Sequence, residues 1–183
     1  MSKILVDEIA PKTIGSKVLM PQGGIIQVQY TQFTGTNSYS IAAATNTVIT
    51  DLTVNITPIS TSSIIKIEAM VNGEWSHQNG ATDSVWFFYR NSTKLSHPAA
   101  GNRPVGVLMG TSITYNALDA ASTPEQAYYS YFDTPSSTSQ ITYKVGVFQP
   151  DGYDWSLNKT QTDSDTANYE RGTSFICVTE IAG

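Results

Sequence analysis

From residue 23 onward the chain repeats one pattern: short runs of alternating apolar and polar side chains, each closed after about ten residues by glycine, proline or asparagine. Leu52, Val54 and Ile56 alternate with Thr53 and Asn55. Ile65, Ile67, Ala69 and Val71 alternate with Lys66 and Glu68, and Ile141, Tyr143, Val145 and Val147 with Thr142, Lys144 and Gly146. A period of two places the two sets on opposite sides of a β-strand, so these segments predict strands with one face in a core and one in water. Further strands are predicted at 25–33, around Tyr39 and Ile41, and at 85–90, 105–115, 128–133, 155–157 and 172–181. Segment 74–83 contains Asn79-Gly80, a pair suited to positive φ angles, and predicts an exposed hairpin loop. Segment 91–104, with Pro98, Gly101 and Pro104, predicts a long irregular connection of the kind that carries binding or sits at an interface. The total is about ten short antiparallel strands, the pattern of an all-β jelly-roll sandwich.

Some strands do not alternate. In 172–181, Phe175, Cys177 and Ile181 fall on one side while Ile176 and Val178 fall on the other. Segment 85–90 carries Phe87 and Tyr89 on one side and Trp86 and Phe88 on the other, and 128–133 is aromatic on both. A strand of a sandwich gives one face to its own core, so a second apolar face needs another cover. Either a second copy of the chain or a loop of the same subunit can supply it. Self-association makes Phe175, Cys177, Ile181, Trp86, Phe88, Tyr129 and Tyr131 the candidate interface residues. Cys177 is the lone cysteine, so no intrachain disulfide forms, and it reads as a small buried apolar group.

Residues 1–22 differ from the body at 23–183. Ile4, Leu5, Val6, Ile9, Ile14 and Val18 are interrupted by Pro11, Gly15 and Pro21, which excludes one continuous helix or strand. The segment reads as an arm whose apolar side chains are covered by a neighbouring subunit, a larger assembly or its own body.

Length and composition narrow the function. The chain's 183 residues suit one domain plus an arm. A net charge of -5 with no cluster of Lys and Arg argues against nucleic acid as a partner. No apolar run has the length of a bilayer-spanning helix, and no basic region precedes an apolar core, so a soluble protein made in the cytoplasm is expected, without membrane insertion. His77 and His97, the only imidazoles, fall in predicted loops with no partner pattern, so no enzyme and no cofactor are expected. No Cys/His spacing suits zinc, and Asp163-Ser164-Asp165 offers calcium-type oxygens without the full loop pattern. Tryptophan and tyrosine can present flat platforms to sugar rings or pack in a core or interface. The first alternative makes Trp75, His77 and His97 candidate glycan contacts.

In order along the chain stand Val48-Ile49-Thr50-Asp51-Leu52-Thr53-Val54-Asn55-Ile56-Thr57-Pro58, Ser60-Thr61-Ser62-Ser63-Ile64-Ile65, Tyr131-Phe132-Asp133-Thr134-Pro135, Thr142-Tyr143-Lys144-Val145 and Arg171-Gly172-Thr173-Ser174-Phe175-Ile176-Cys177-Val178-Thr179-Glu180-Ile181. This series resembles bacteriophage virion proteins, fibre or head-decoration proteins frequent in marine and cyanobacterial phages. Their domain is similar to the trimeric jelly roll of tumour necrosis factor and of complement's globular heads. The opening Ile4-Leu5-Val6-Asp7-Glu8-Ile9, leading to Pro21 and Gly23-Gly24, is similar to the arm with which such proteins begin. The resemblance implies a non-enzymatic homotrimer located in the virion after synthesis in the bacterial host, its arm attached to other virion proteins. As a tail fibre it would serve host attachment, and a fibre tip could also recognise a host surface glycan. Segment 91–126 lies outside the motifs that carry the resemblance.

Overall fold

A computed structural model describes residues 20–113 and 121–183. Its elements are β1 (Ile25–Phe33), β2 (Asn37–Ser40), β3 (Thr45–Ile56), β4 (Ile64–Trp75), α1 (Gln78–Asp83), β5 (Val85–Arg90), β6 (Thr93–Leu95), β7 (Leu108–Met109), β8 (Ser112–Ile113), β9 (Glu125–Asp133), β10 (Ile141–Gln149), β11 (Asp154–Leu157) and β12 (Ser174–Ile181). The larger sheet runs β1-β12-β4-β11-β2, with β9 also paired to β4 and β8 to β9; the smaller runs β3-β10-β5-β6, with β7 also on β5. Every pairing is antiparallel. Strands far apart in sequence lie side by side, β1 with β12 and β3 with β10, as the chain passes from one sheet to the other in jelly-roll fashion. The protein is an all-β sandwich of two antiparallel sheets.

The alternation seen in the sequence accounts for how the sheets close. Ile65, Ile67, Ala69 and Val71 of β4 and Ile176 and Val178 of β12 are fully buried, facing Ile49, Leu52, Val54, Tyr143, Val145 and Val147 from the smaller sheet. Removing these side chains from water is the main stabilising term, at roughly 1.5–3 kcal/mol for each fully buried large aliphatic residue. Trp75, Trp86 and Trp155 pack together, with ring centroids 5.2 to 6.1 Å apart, and none is exposed. Phe88 stacks on Tyr129 at 4.5 Å.

Buried polar groups hold the crossings between strands, where ladder hydrogen bonds end. Asn158, at φ 61°, donates from Nδ2 to the carbonyls of Phe33 and Gly35 and accepts from the Ser174 hydroxyl, which joins the β1 end to β12. Asp133 accepts from Arg90 at 2.8 Å and from the Tyr143 hydroxyl at 2.7 Å, linking the sheets across the core. Glu180 accepts from the Ser63 hydroxyl, the Gln27 amide and the Ile59 N–H, each at 2.6 Å. Burial pushes the Glu180 carboxyl up, but these donors outweigh it and hold its pKa below the ordinary glutamate value.

Several sequence expectations are corrected. There are twelve strands among the described residues, because β6, β7 and β8 are short pieces within the stretches expected to be a connection and one long strand. Asn79-Gly80 forms no hairpin turn. It lies in α1, whose first turn is capped by His77 accepting from the Asn79 N–H, and Gly80 packs so closely on Trp75 that a Cβ would sit 2.5 Å from Trp75 Cγ. Trp86, Phe88 and Tyr129 cannot line an interface between copies, since they are buried in their own subunit's core, and Tyr131 packs against that core. The reason is register: β9 turns Tyr129 and Tyr131 inward and Tyr128 and Phe132 outward. On β5 the second apolar face is covered within the subunit, because Gly146 leaves a slot for Phe87 and the Lys94 ammonium lies 3.9 Å from the Phe87 ring centroid. Cys177 is only half-buried. The arm residues Ile4, Leu5, Val6, Ile9, Ile14 and Val18 lie outside the described residues.

A methyl group at Gly146 would lie 2.3 Å from Phe87 Cε2, an overlap that the buried ring cannot relieve without moving its strand. Gly146→Ala is therefore expected to destabilise the fold by about 1–3 kcal/mol. A denaturant-unfolding midpoint equal to that of the unaltered chain would contradict this packing.

Candidate functional site: the outer face of the larger sheet

Directly paired residues of antiparallel strands project to the same side, so the registers of β1, β12, β4 and β9 define one outer surface. Val28 pairs with Thr179, Tyr30 with Cys177 and Gln32 with Phe175. Phe175 pairs with Met70, Cys177 with Glu68, Thr179 with Lys66 and Ile181 with Ile64. Across β4, Lys66 meets Phe132, Glu68 meets Ser130 and Met70 meets Tyr128. The outer face thus carries Val28, Tyr30, Phe175, Ile181, Met70, Tyr128 and Phe132. Tyr30 is 70% exposed, Phe132 58% and Tyr128 56%, and no described segment covers them.

Apart from Phe33 at its end, which packs on the core, strand β1 turns Val28 and Tyr30 away from it. A register shift between Ile25 and Gln27 sends Gln27 inward to Glu180, and Thr31 donates inward to the Thr53 carbonyl, while Val28 and Tyr30 point out. A polar inner edge and an apolar outer face reverse what a solvated edge strand shows.

One ion pair lies within this surface. Lys66 Nζ is 2.9 Å from Glu68 Oε1, and the Tyr128 hydroxyl reaches the same carboxylate at 3.4 Å. The hydrogen bond to Glu68 raises the Lys66 pKa, and the ion pair matches the two side chains within one subunit. Burial, followed by the Glu68 charge, pushes the Cys177 thiol up and makes it a weak nucleophile. The surface is therefore largely apolar with one ion pair matched within the subunit, a combination suited to protein contact.

Of the sequence candidates, Phe175, Cys177 and Ile181 lie on this face; Trp86, Phe88, Tyr129 and Tyr131 do not. Trp75 is fully buried and offers no platform to a sugar. His77 is exposed but stacks on Tyr153 at 4.6 Å, and exposed His97 interacts with the Pro98 carbonyl through Nδ1. Sequence reading missed Tyr30, Tyr128 and Phe132. Their signal was the apolar side of β1 and the doubly aromatic β9. Among the described residues no three His, Cys, Asp or Glu side chains are placed to hold a metal ion, and no helix is long and apolar enough to cross a membrane.

A second cluster lies inside the fold. Glu125 is almost fully buried, with Oε1 accepting from the Trp75 N–H and Oε2 from the Thr111 hydroxyl. Buried Glu74 accepts from the Thr123 and Gln161 N–H groups. Burial raises the Glu125 pKa to about 7, helped by the charge of Glu74 and opposed by the Thr111 and Trp75 hydrogen bonds. These are fastenings between α1, β4, β9 and the loops beside them. A scan against known protein families finds no match, and a search of curated proteins finds none either.

The raised Glu125 pKa sets a sign. Between about 4.5 and about 7 the folded chain keeps a proton that the unfolded chain has released, so this group's contribution to stability falls as pH rises through that window. Glu125→Gln removes the dependence. The stability of the unaltered chain relative to this variant is expected to fall by roughly 3 kcal/mol from pH 4 to pH 8. A difference that stays flat or rises with pH in urea titrations would contradict the placement of Glu125.

Proposed function

We propose that the chain is a non-enzymatic structural component of a phage virion, a homotrimeric knob or decoration subunit held to the particle by residues 1–22. The observation that carries this reading is the apolar outer face of the larger sheet, left open in the single chain. Covering a half-exposed tyrosine or phenylalanine contributes roughly 1–2 kcal/mol. Association costs about 4–15 kcal/mol in lost freedom, so one such side chain does not hold copies together. Tyr30, Tyr128 and Phe132, backed by Val28, Met70, Phe175 and Ile181 and contributed by every subunit, do.

The Lys66–Glu68 pair fits such a surface because its charges are matched within one subunit. Closing the contact then buries no unpaired charge, the case that is costly. The face argues for self-association; the threefold number and the virion setting rest on the ordered motifs of the sequence. The apolar content of residues 1–22 supports their use as an attachment segment.

Light scattering coupled to gel filtration tests the reading. The unaltered chain is expected at three chain masses, while Tyr30→Asp and Phe132→Asp, at exposed positions that leave the core intact, are expected at one. A monomer at micromolar concentration would overturn self-association, and a dimer would overturn the threefold arrangement.

A further inference from the structure

On the opposite side of the sandwich, the outer face of the smaller sheet carries a cleft of about 260 Å³ lined by Lys94, Arg103, Asn46, Asn102 and Phe148. Lys94 projects outward because it pairs with Tyr89, and Asn46 pairs with Phe148 on the same side. Among the described residues the ion pairs are Lys66–Glu68, Arg90–Asp133 and Arg171–Asp163, and neither Lys94 nor Arg103 takes part in one. Among the described residues no Asp or Glu lines the cleft, although the chain carries a net charge of -5. Two cations converging without a carboxylate leave a site complementary to an anion.

The Lys94 ammonium and the Arg103 backbone are held in place. The Lys94 ammonium sits over the Phe87 ring and donates to Asn46 Oδ1 at 3.1 Å; burial pushes its pKa below the ordinary lysine value, which a bound anion would reverse. The Arg103 backbone is tied to Ala100 across Gly101, at φ 66°, and among the described residues its guanidinium makes one long contact, 3.4 Å to the Ala100 carbonyl. The rest of that planar fork is open to a carboxylate. Asn46 and Asn102 bring carboxamides, which both donate and accept, and half-exposed Phe148 brings an aromatic ring.

A bare inorganic anion would use the cations and leave the Asn102 carboxamide and the ring idle, Asn46 Oδ1 being already engaged by Lys94. A nucleic acid needs a longer basic track than two side chains provide. A sugar ring with a carboxylate uses all five groups, and the volume, at the small end of ligand sites, suits a single ring. We propose that this cleft binds the carboxylate-bearing ring of an acidic saccharide, with Arg103 and Lys94 on the carboxylate, Asn46 and Asn102 on hydroxyls, and Phe148 against the ring's C–H face. The site lies away from the surface assigned to self-association, so it stands whether or not that assignment does.

Titration of the full chain with D-glucuronate, D-glucose and acetate, followed by chemical-shift changes, tests the proposal. Glucuronate is expected to bind at least about tenfold more tightly than glucose or acetate, and Arg103→Gln and Lys94→Gln each to weaken it about tenfold. Added salt should weaken glucuronate binding as well. Arg103 is exposed, so its variant reads the site even if Lys94→Gln, which uncovers Phe87, fails to fold. Acetate binding as tightly as glucuronate, glucose binding as tightly, no saturable response to glucuronate, or an unchanged affinity in Arg103→Gln would each overturn it.

Discussion

The rest of the structure depends on the two-sidedness of β4 and β12. Their inner side chains, Ile65, Ile67, Ala69, Val71, Ile176 and Val178, close the sandwich against the smaller sheet. Their register then leaves no choice for the other side: Ile64, Met70, Phe175, Cys177 and Ile181 must look outward. Slipping β4 by one residue would exchange its two sets and put Lys66 and Glu68 into the core. The apolar outer face is thus a consequence of the same pairing that makes the core, and β1 and β9 extend it on either side.

The fold was legible where the chemistry of the two faces differs. In β3, β4 and β10 apolar and polar residues alternate, and the buried side is the one the alternation marks. The reading failed where both faces are apolar, because local sequence does not tell which neighbour covers which face. Trp86 and Phe88 looked outward-capable, yet they fill the core, and the other side of their strand is hidden by a glycine and a lysine from other strands, Gly146 and Lys94. In β9 every side chain from Tyr128 to Phe132 except Ser130 is aromatic, so its register could be fixed only by partners on β4. Trp75 falls in the predicted 74–83 loop because that segment is largely polar and contains Asn79-Gly80. Instead Glu74 is buried and held by backbone donors, and the strand continues through Trp75.

The candidate sites divide in the same way. Strand β12 announced its outer residues, since Phe175 and Cys177 alternate with Ile176 and Val178 in plain view. The Lys94–Arg103 cleft was not readable at all. Its members come from β3, β6, β10 and the 101–105 segment, and no local run of basic residues marks it. The sandwich thereby offers two surfaces of opposite character, one apolar and internally charge-matched, the other cationic and lined by hydrogen-bonding groups. Lying on opposite sheets, they can be occupied together.

The central claim is that copies of the chain cover the outer face of the larger sheet, and Cys177 stands in the middle of that face as a natural reporter. The most direct measurement is the rate at which a maleimide labels Cys177 in the unaltered chain and in Tyr30→Asp, under conditions where both are folded. If copies cover the face, labelling of the unaltered chain is slower by at least about tenfold, because a thiol must be exposed to react. Equal rates in the two proteins would show the face open to solvent and contradict the account.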